Sequence, residues 1–67
     1  MLRIETEREE DGRWLAEVPA LPGVMTYGAT AEEARSKATA LALHVIAERV
    51  EQGEALPREL AGLFQIA

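Results

Sequence analysis

The segment that most constrains this fold is residues 11–34, DGRWLAEVPALPGVMTYGATAEEA, in a chain of 67 residues. Turn signals and apolar strands alternate along it: an Asp-Gly pair opens it, Pro22-Gly23 divides it, and Thr30 is placed to begin a helix. These residue types have strong backbone preferences, since glycine accepts positive φ and proline fixes φ near about −65°. The segment therefore predicts two short strands joined by a tight corner and followed directly by a helix.

The residues before this segment alternate apolar and charged side chains with a period of two, which predicts a strand with one buried face. Within residues 2–8, Leu2 and Ile4 share the buried face. The opposite face carries Arg3, Glu5 and Glu7. The Asp-Gly pair that follows suits the tight turn of a hairpin. We therefore expect residues 13–18 to form a second, antiparallel strand.

The second strand leads into a corner that contains two prolines. One face of this strand carries Trp14, Ala16 and Val18, and Leu15 lies on the other. Pro22 and Gly23 suit the two central positions of a type II turn. Because proline has no amide hydrogen, a continuous central strand is excluded here. We expect the chain to resume extended structure over residues 24–28, as a third strand.

A helix is predicted to follow the third strand directly. Thr30 and Glu33 have the spacing of a capping box, in which the Thr30 hydroxyl accepts the Glu33 amide and the Glu33 carboxylate accepts the Thr30 amide. Residues 31–52 are almost all good helix formers, and Gly53 is placed to end the helix in a left-handed conformation. Such a helix would be about 33 Å long.

This helix carries more apolar surface than one face of a small sheet can cover. The predicted core stripe consists of Ala34, Ala38, Leu41 and Val45. Five more apolar residues widen it beyond the ~100° arc that is usually buried: Ala42, Leu43, Ile46, Ala47 and Val50. An exposed apolar arc of this kind needs a cover, and we expect a homo-oligomer, either a dimer or a tetramer. The alternative is that the C-terminal segment folds back over this surface.

The C-terminal segment, residues 54–67, has a weaker pattern. A Leu-Pro pair stops the long helix, and we predict a short helical turn over residues 57–61 and then an edge strand over residues 63–66. The predicted architecture is α+β: a three-stranded antiparallel sheet packed on one long helix, in the order β-β-β-α, with this short fourth strand in addition. One domain, residues 1–67, accounts for the whole sequence.

Composition excludes several classes of function. Seven basic and twelve acidic residues give a net charge of −5, which repels nucleic acid and attracts a basic protein. There is no cysteine, and His44 is the only histidine, so we expect no metal site and no cofactor. No apolar run approaches the about 20 residues that a membrane-spanning helix needs. We see no signal peptide pattern and expect a cytoplasmic protein.

The sequence holds no residue set typical of catalysis, and we predict that the protein is not an enzyme. Ser36 and His44 are the only serine and histidine. Eight residues on a helix separate them by more than about 10 Å, too far for a nucleophile and its base. Trp14 and Tyr27 would suit base stacking only beside a basic groove. Without such a groove, packing in the core or at an interface is favoured for both.

The motif series of this chain closely resembles that of the HicB-like antitoxin family. The pattern comprises the Asp-Gly pair, Trp14, a PxLPG run that ends at Gly23, GxT at residues 28–30 and EEA at residues 32–34, before an alanine-rich helix and Gly-Glu-x-Leu-Pro. The resemblance covers about three quarters of the chain. It implies a β-β-β-α-β arrangement, a partial ribonuclease-H-like fold without that enzyme's activity.

The resemblance also implies a partner. Proteins similar to these bind and occlude small basic mRNA-cleaving toxins of HicA type. Longer members of the family repress their own operon through a C-terminal DNA-binding module. The resemblance stops before that module, so we expect no direct DNA binding.

Two hypotheses from different classes follow. The favoured one is a non-enzymatic, self-associating HicB-like module that neutralises a toxin ribonuclease by covering its active site. The candidate residues for partner contact or self-association are Trp14, Tyr27, Leu43, Ile46 and Val50. The rival is a vestigial ribonuclease-H-like hydrolase that uses glutamates such as Glu5 or Glu17 with magnesium. A further alternative is an oligomeric HicB-like domain with another binding function.

Overall fold

Three antiparallel strands precede one long helix in the computed structural model, which describes residues 1–65 and 67. The strands are β1 (Glu5–Arg8), β2 (Trp14–Glu17) and β3 (Met25–Gly28), and they lie side by side in the order β1-β2-β3. The helix α1 spans Ala31–Glu51, and a 3-10 turn follows at Arg58–Leu60. The predicted α+β architecture, a three-stranded antiparallel sheet with one long helix, is confirmed.

Two glycines with positive φ form the connections between the strands. Gly12 has φ +90° in the β1–β2 turn, where its amide donates to the Glu9 carbonyl at 3.0 Å. Gly23 also has φ +90°, and the Val24 amide donates to the Leu21 carbonyl at 3.0 Å across it, as in a type II turn. Both predicted turns are therefore present. They leave strands of four residues each.

The helix α1 begins where the sequence predicts, with half of the predicted capping box. The Glu33 amide donates to Thr30 Oγ1 at 3.0 Å. The Glu33 carboxylate pairs with Lys37 Nζ at 3.0 Å instead of returning to the Thr30 amide. The hydrogen bond and the charge of Lys37 lower the pKa of Glu33, and this i,i+4 attraction explains the difference. Gln52 caps the other end, and Gly53 follows with φ +90°.

Replacing Thr30 by alanine is expected to lower the free energy of unfolding by about 1 kcal/mol, because the Glu33 amide loses its side-chain acceptor. Thr39→Ala is the matched control, since the Thr39 hydroxyl donates to the Arg35 carbonyl at 2.8 Å within the helix. That carbonyl belongs to the helical backbone ladder and alanine has the higher helix propensity, so we expect no loss of stability and a gain of up to about 0.5 kcal/mol. Urea unfolding followed by circular dichroism measures both variants. Equal losses would contradict the capping role of Thr30.

The core lies between the inner face of the sheet and one side of α1. A cluster of small residues joins Ala16 of β2 to Ala34 and Ala38 of the helix. A second cluster consists of Val18, Leu21, Val24, Ala42 and Ile46. The small side chains permit a close approach at the start of the helix, where Thr26 Oγ1 donates to the Ala34 carbonyl at 2.8 Å.

The buried stripe of α1 differs from the predicted one. It runs through Ala34, Ala38, Ala42 and Ile46 at a constant spacing of four. Leu41 and Val45, which were predicted for the core, are only half-buried. Each step of four residues advances by about 40° around a helix, so the buried line winds around α1 as it crosses the sheet. Ala42 and Ile46 were predicted among the residues that widen the stripe into an exposed arc, but they are 6% and 7% exposed and belong to the core.

The C-terminal segment covers one flank of α1. Leu56 and Leu60 pack against the larger core cluster. The Met1 ammonium donates to the Glu59 carbonyl at 3.0 Å and connects the two chain ends. The predicted helical turn is present at Arg58–Leu60. The covering is partial, because Leu43 and Val50 of the predicted outer arc stay exposed.

The prediction of a fourth strand is wrong for residues 63–65. Residues 63–65 form no strand. The Leu63 amide donates back to the Leu60 carbonyl at 2.9 Å, so the chain continues to turn instead of extending. Ile66, the last residue of the predicted strand, lies outside the described residues.

Candidate partner-binding surfaces

One face of the sheet is turned away from α1, and the strand register fixes which side chains it carries. Glu5, Glu17 and Met25 form one row across β1, β2 and β3. Glu7, Leu15 and Tyr27 form the next row. We call these six residues the outer sheet face. Their neighbours along the strands, such as Ala16, point towards the helix, since side chains alternate between the faces of a strand.

Three carboxylates concentrate negative charge on the outer sheet face. Glu5 and Glu17 lie directly opposite each other on neighbouring strands, and Glu7 is in the adjacent row. The Arg3 guanidinium is 3.5 Å from the Glu5 carboxylate in an exposed ion pair, which is a weak attraction. A shallow depression of about 80 Å³ lies among these side chains. It is lined by Glu5, Thr6, Glu7, Leu15 and Glu17.

Asp11, Arg13 and Tyr27 form a linked set at the edge of the outer sheet face. The Arg13 amide donates to Asp11 Oδ1 at 3.0 Å, and Arg13 Nε donates to Asp11 Oδ2 at 2.7 Å. These hydrogen bonds, the backbone one above all, lower the pKa of the Asp11 carboxyl. The Arg13 guanidinium also lies 4.4 Å from the centroid of the Tyr27 ring, as a cation–π contact. Asp11 balances the charge of Arg13, so the face remains acidic.

A second surface is the side of α1 that faces away from the sheet. Ala40, Leu43, Ala47 and Val50 recur there at spacings of three and four, and all four are exposed. At about 100° per residue they fall within about 80° of arc, whose centre lies about 140° from the centre of the buried stripe, with Val50 about 40° from Ile46. Leu43 is 62% exposed and Val50 is 43% exposed. We call these four residues the helix back.

An apolar groove lies between α1 and the C-terminal turn. Its volume is about 180 Å³, and its lining residues are Leu2, Ile4, Val18, Thr39, Ala42, Leu43, Ile46 and Leu60. Leu43 belongs both to this groove and to the helix back, so the two surfaces are continuous. Further along the chain, Leu63 and Phe64 are exposed.

The five predicted contact residues do not form one site. Trp14 is half-buried and packs against the cluster of small residues in the core. Tyr27 lies on the outer sheet face. Leu43 and Val50 lie on the helix back, whereas Ile46 is a core residue. The exposed candidates therefore lie on two separate surfaces, the outer sheet face and the helix back.

Sequence reasoning missed the outer sheet face as a joint surface. It assigned Glu5 and Glu7 to a solvated face, and placed Leu15 on the opposite side of its strand from Trp14. It did not work out the strand register, that is, which residues of β1 and β2 lie opposite each other. A hairpin closed at Gly12 pairs Glu5 with Glu17, and this pairing was available from the turn position and the period of two.

Comparison with protein-family models, with curated proteins and with solved structures finds no match for this chain. Within residues 1–65 and 67, no three His, Cys, Asp or Glu side chains are grouped so that they could hold a metal ion. No helix in the same part of the chain has the length and apolarity needed to cross a membrane. The functional interpretation of the outer sheet face and the helix back therefore rests on the side chains that they carry.

The acidic outer sheet face is expected to lower the stability of the isolated chain. Like charges directly opposite on neighbouring strands are destabilising, so Glu17→Gln should raise the free energy of unfolding by about 0.5 kcal/mol at low salt. The gain should shrink as salt screens the carboxylates. Glu10→Gln, in the exposed turn, removes the same charge and is the control. No difference between the two variants in urea unfolding would contradict repulsion between Glu5 and Glu17.

Proposed function

We propose that this chain is a non-catalytic, self-associating module of the HicB-like antitoxin type that neutralises a small basic mRNA-cleaving toxin of HicA type. The module binds the toxin stoichiometrically and covers its active site. Both proteins act in the cytoplasm, where mRNA is translated. The observation that carries the proposal is the outer sheet face, on which three carboxylates surround Leu15 beside Tyr27 and Met25.

The chemistry of the outer sheet face suits a basic partner. An enzyme that cleaves RNA needs cationic side chains to bind phosphate groups, and a surface of carboxylates is complementary to them. A net charge of −5 also accelerates the encounter with a cationic protein. Tyrosine and methionine are enriched in protein interfaces, so Tyr27 and Met25 supply apolar contact area next to the charges.

The first test is the neighbouring reading frame. We expect a small basic protein of HicA type to be encoded beside this chain, and co-expression of the two should give a stable complex and restore growth that the toxin alone arrests. The absence of a complex at about 1 μM of each protein would contradict the proposal, because stoichiometric neutralisation requires most of the toxin to be bound at such concentrations. Magnesium-dependent nuclease activity of the isolated chain that is lost in Glu17→Gln would favour the hydrolase instead.

The second test locates the binding surface. A triple variant with glutamine at Glu5, Glu7 and Glu17 should bind the toxin at least about tenfold more weakly, which corresponds to about 1.4 kcal/mol. The control triple variant has the same net charge and carries its substitutions at exposed glutamates outside the outer sheet face: Glu10, Glu48 and Glu54. Equal weakening of both variants in calorimetric titrations would indicate general charge attraction and would contradict this binding face.

A further inference from the structure

We infer that Lys37 of α1 blocks the free edge of β3 and so prevents this strand from pairing with β3 of a second copy of the chain. A strand at the edge of a sheet has backbone amides and carbonyls that can pair with another chain. The inference does not rest on the proposed function. It concerns the strand that carries Met25 and Tyr27, the two large apolar side chains at one side of the outer sheet face.

The hydrogen-bonding pattern shows which backbone groups of β3 point away from β2. The Val18 amide donates to the Val24 carbonyl at 3.1 Å, at the end of the register that joins the two strands. Hydrogen-bonded and non-hydrogen-bonded residues alternate along an antiparallel pair. Thr26 therefore bonds with β2, whereas the amides and carbonyls of Met25 and Tyr27 point to the free edge.

The Lys37 side chain lies at this free edge. Its ammonium group donates to the Tyr27 carbonyl at 3.3 Å and is 3.0 Å from the Glu33 carboxylate, which holds it in place. A strand that paired with β3 would need the Tyr27 carbonyl as an acceptor for its own amide. The ammonium has donors and no acceptor, so it competes with that amide and offers it nothing in return.

The strand β3 needs such a block because its own side chains carry no charge. Its residues are Met25, Thr26, Tyr27 and Gly28. A two-fold axis at Thr26 would place Met25 of each copy opposite Tyr27 of the other. These side chains are 48% and 40% exposed, and a thioether and an aromatic ring attract each other. Without Lys37, pairing of two β3 strands would therefore be favourable.

The other outer strand of the described sheet, β1, is protected by its own carboxylates. The Glu9 amide donates to the Arg13 carbonyl at 2.8 Å, and the same alternation directs the backbone groups of Thr6 to the free edge. A two-fold axis at Thr6 would place Glu5 of each copy opposite Glu7 of the other. Like charges in these positions are destabilising. Charge within the strand thus disfavours pairing at β1, and a charge from the helix does so at β3.

Amide hydrogen exchange measured by NMR tests the inference residue by residue. In Lys37→Met, exchange at Met25 and Tyr27 should slow at least about threefold between about 10 and 500 μM protein, as expected for pairing with a dissociation constant of tens of micromolar. In the wild type, exchange at both amides should not depend on concentration. The Thr26 amide, which bonds with β2, is the internal reference.

Two further variants separate the position of the charge from its sign. Lys37→Arg keeps a cation with hydrogen-bond donors at the edge, so it should behave as the wild type. Arg35→Met removes one positive charge at another exposed position of α1 and should also leave the exchange unchanged. Circular dichroism should show that Lys37→Met stays folded, since the Lys37 side chain is 55% exposed.

Three results would overturn the inference. Slowing at Met25 and Tyr27 in the wild type would show that the edge pairs in spite of Lys37. Exchange in Lys37→Met that does not depend on concentration would show that the edge needs no block. Equal slowing in Arg35→Met would assign the effect to net charge. No toxin is present in these measurements, so their failure is distinguishable from failure of the proposed function.

Discussion

Leu21→Ala is expected to leave most of the protein unfolded at 25 °C. Leu21 is the largest fully buried side chain, with 1% of its surface exposed. Its amide donates to the Val18 carbonyl at 2.9 Å and its carbonyl accepts the Val24 amide at 3.0 Å. Truncating a buried leucine costs about 3–5 kcal/mol, and the core of a domain of this size supplies about the same amount. Far-UV circular dichroism at one fixed protein concentration measures the loss.

The control for Leu21→Ala makes the same truncation on the surface. Leu63 is 59% exposed, and Leu63→Ala should change the free energy of unfolding by less than about 0.5 kcal/mol. Both variants lose the same atoms, so the difference between their free energies of unfolding measures the cost of the buried cavity. A folded Leu21→Ala variant whose unfolding midpoint matches that of Leu63→Ala would show that the corner relaxes to fill the space.

The parts of the fold that could be predicted are those specified by neighbouring residues. The turns at Gly12 and Gly23 depend on backbone φ, which the residue type itself restricts. The helix start at Thr30 depends on a hydroxyl three residues before the amide that it binds. Such signals are contained in the sequence and need no knowledge of the rest of the chain. For this reason the order of three strands and one helix and the helix start at Ala31 were predicted correctly, and the helix ends at Glu51, one residue before its predicted end.

The parts that could not be predicted depend on how the helix crosses the sheet. Spacings of three and four are equally compatible with a stripe through Leu41 and Val45 or one through Ala42 and Ile46. The crossing decides between them, and the structure buries the second pair more deeply. Ile46, one of the candidate contact residues, is buried for the same reason. The outer sheet face does not depend on this crossing, because the pairing of Glu5 with Glu17 follows from the turn position and the period of two along the strands.

Gly28 is a second residue whose role depends on this crossing. It ends β3, and it is buried against the first turn of α1. A Cβ atom at this position would lie 2.6 Å from the Ala34 amide nitrogen and 3.1 Å from the Ala34 Cα. Both are backbone atoms of the helix, so no side-chain rotation can relieve the overlap. The close approach of strand and helix therefore requires glycine.

Gly28→Ala is accordingly expected to lower the free energy of unfolding by about 3 kcal/mol, at the upper end of the range for overpacked cores. Removing a glycine from the unfolded chain contributes about 0.4–1 kcal/mol in the opposite direction, which is too little to reverse the sign. Gly62→Ala is the control, since a Cβ at Gly62 meets nothing within 4 Å. Urea unfolding should separate the two variants clearly. A Gly28→Ala variant as stable as the control would mean that α1 can shift away from β3 without loss of packing.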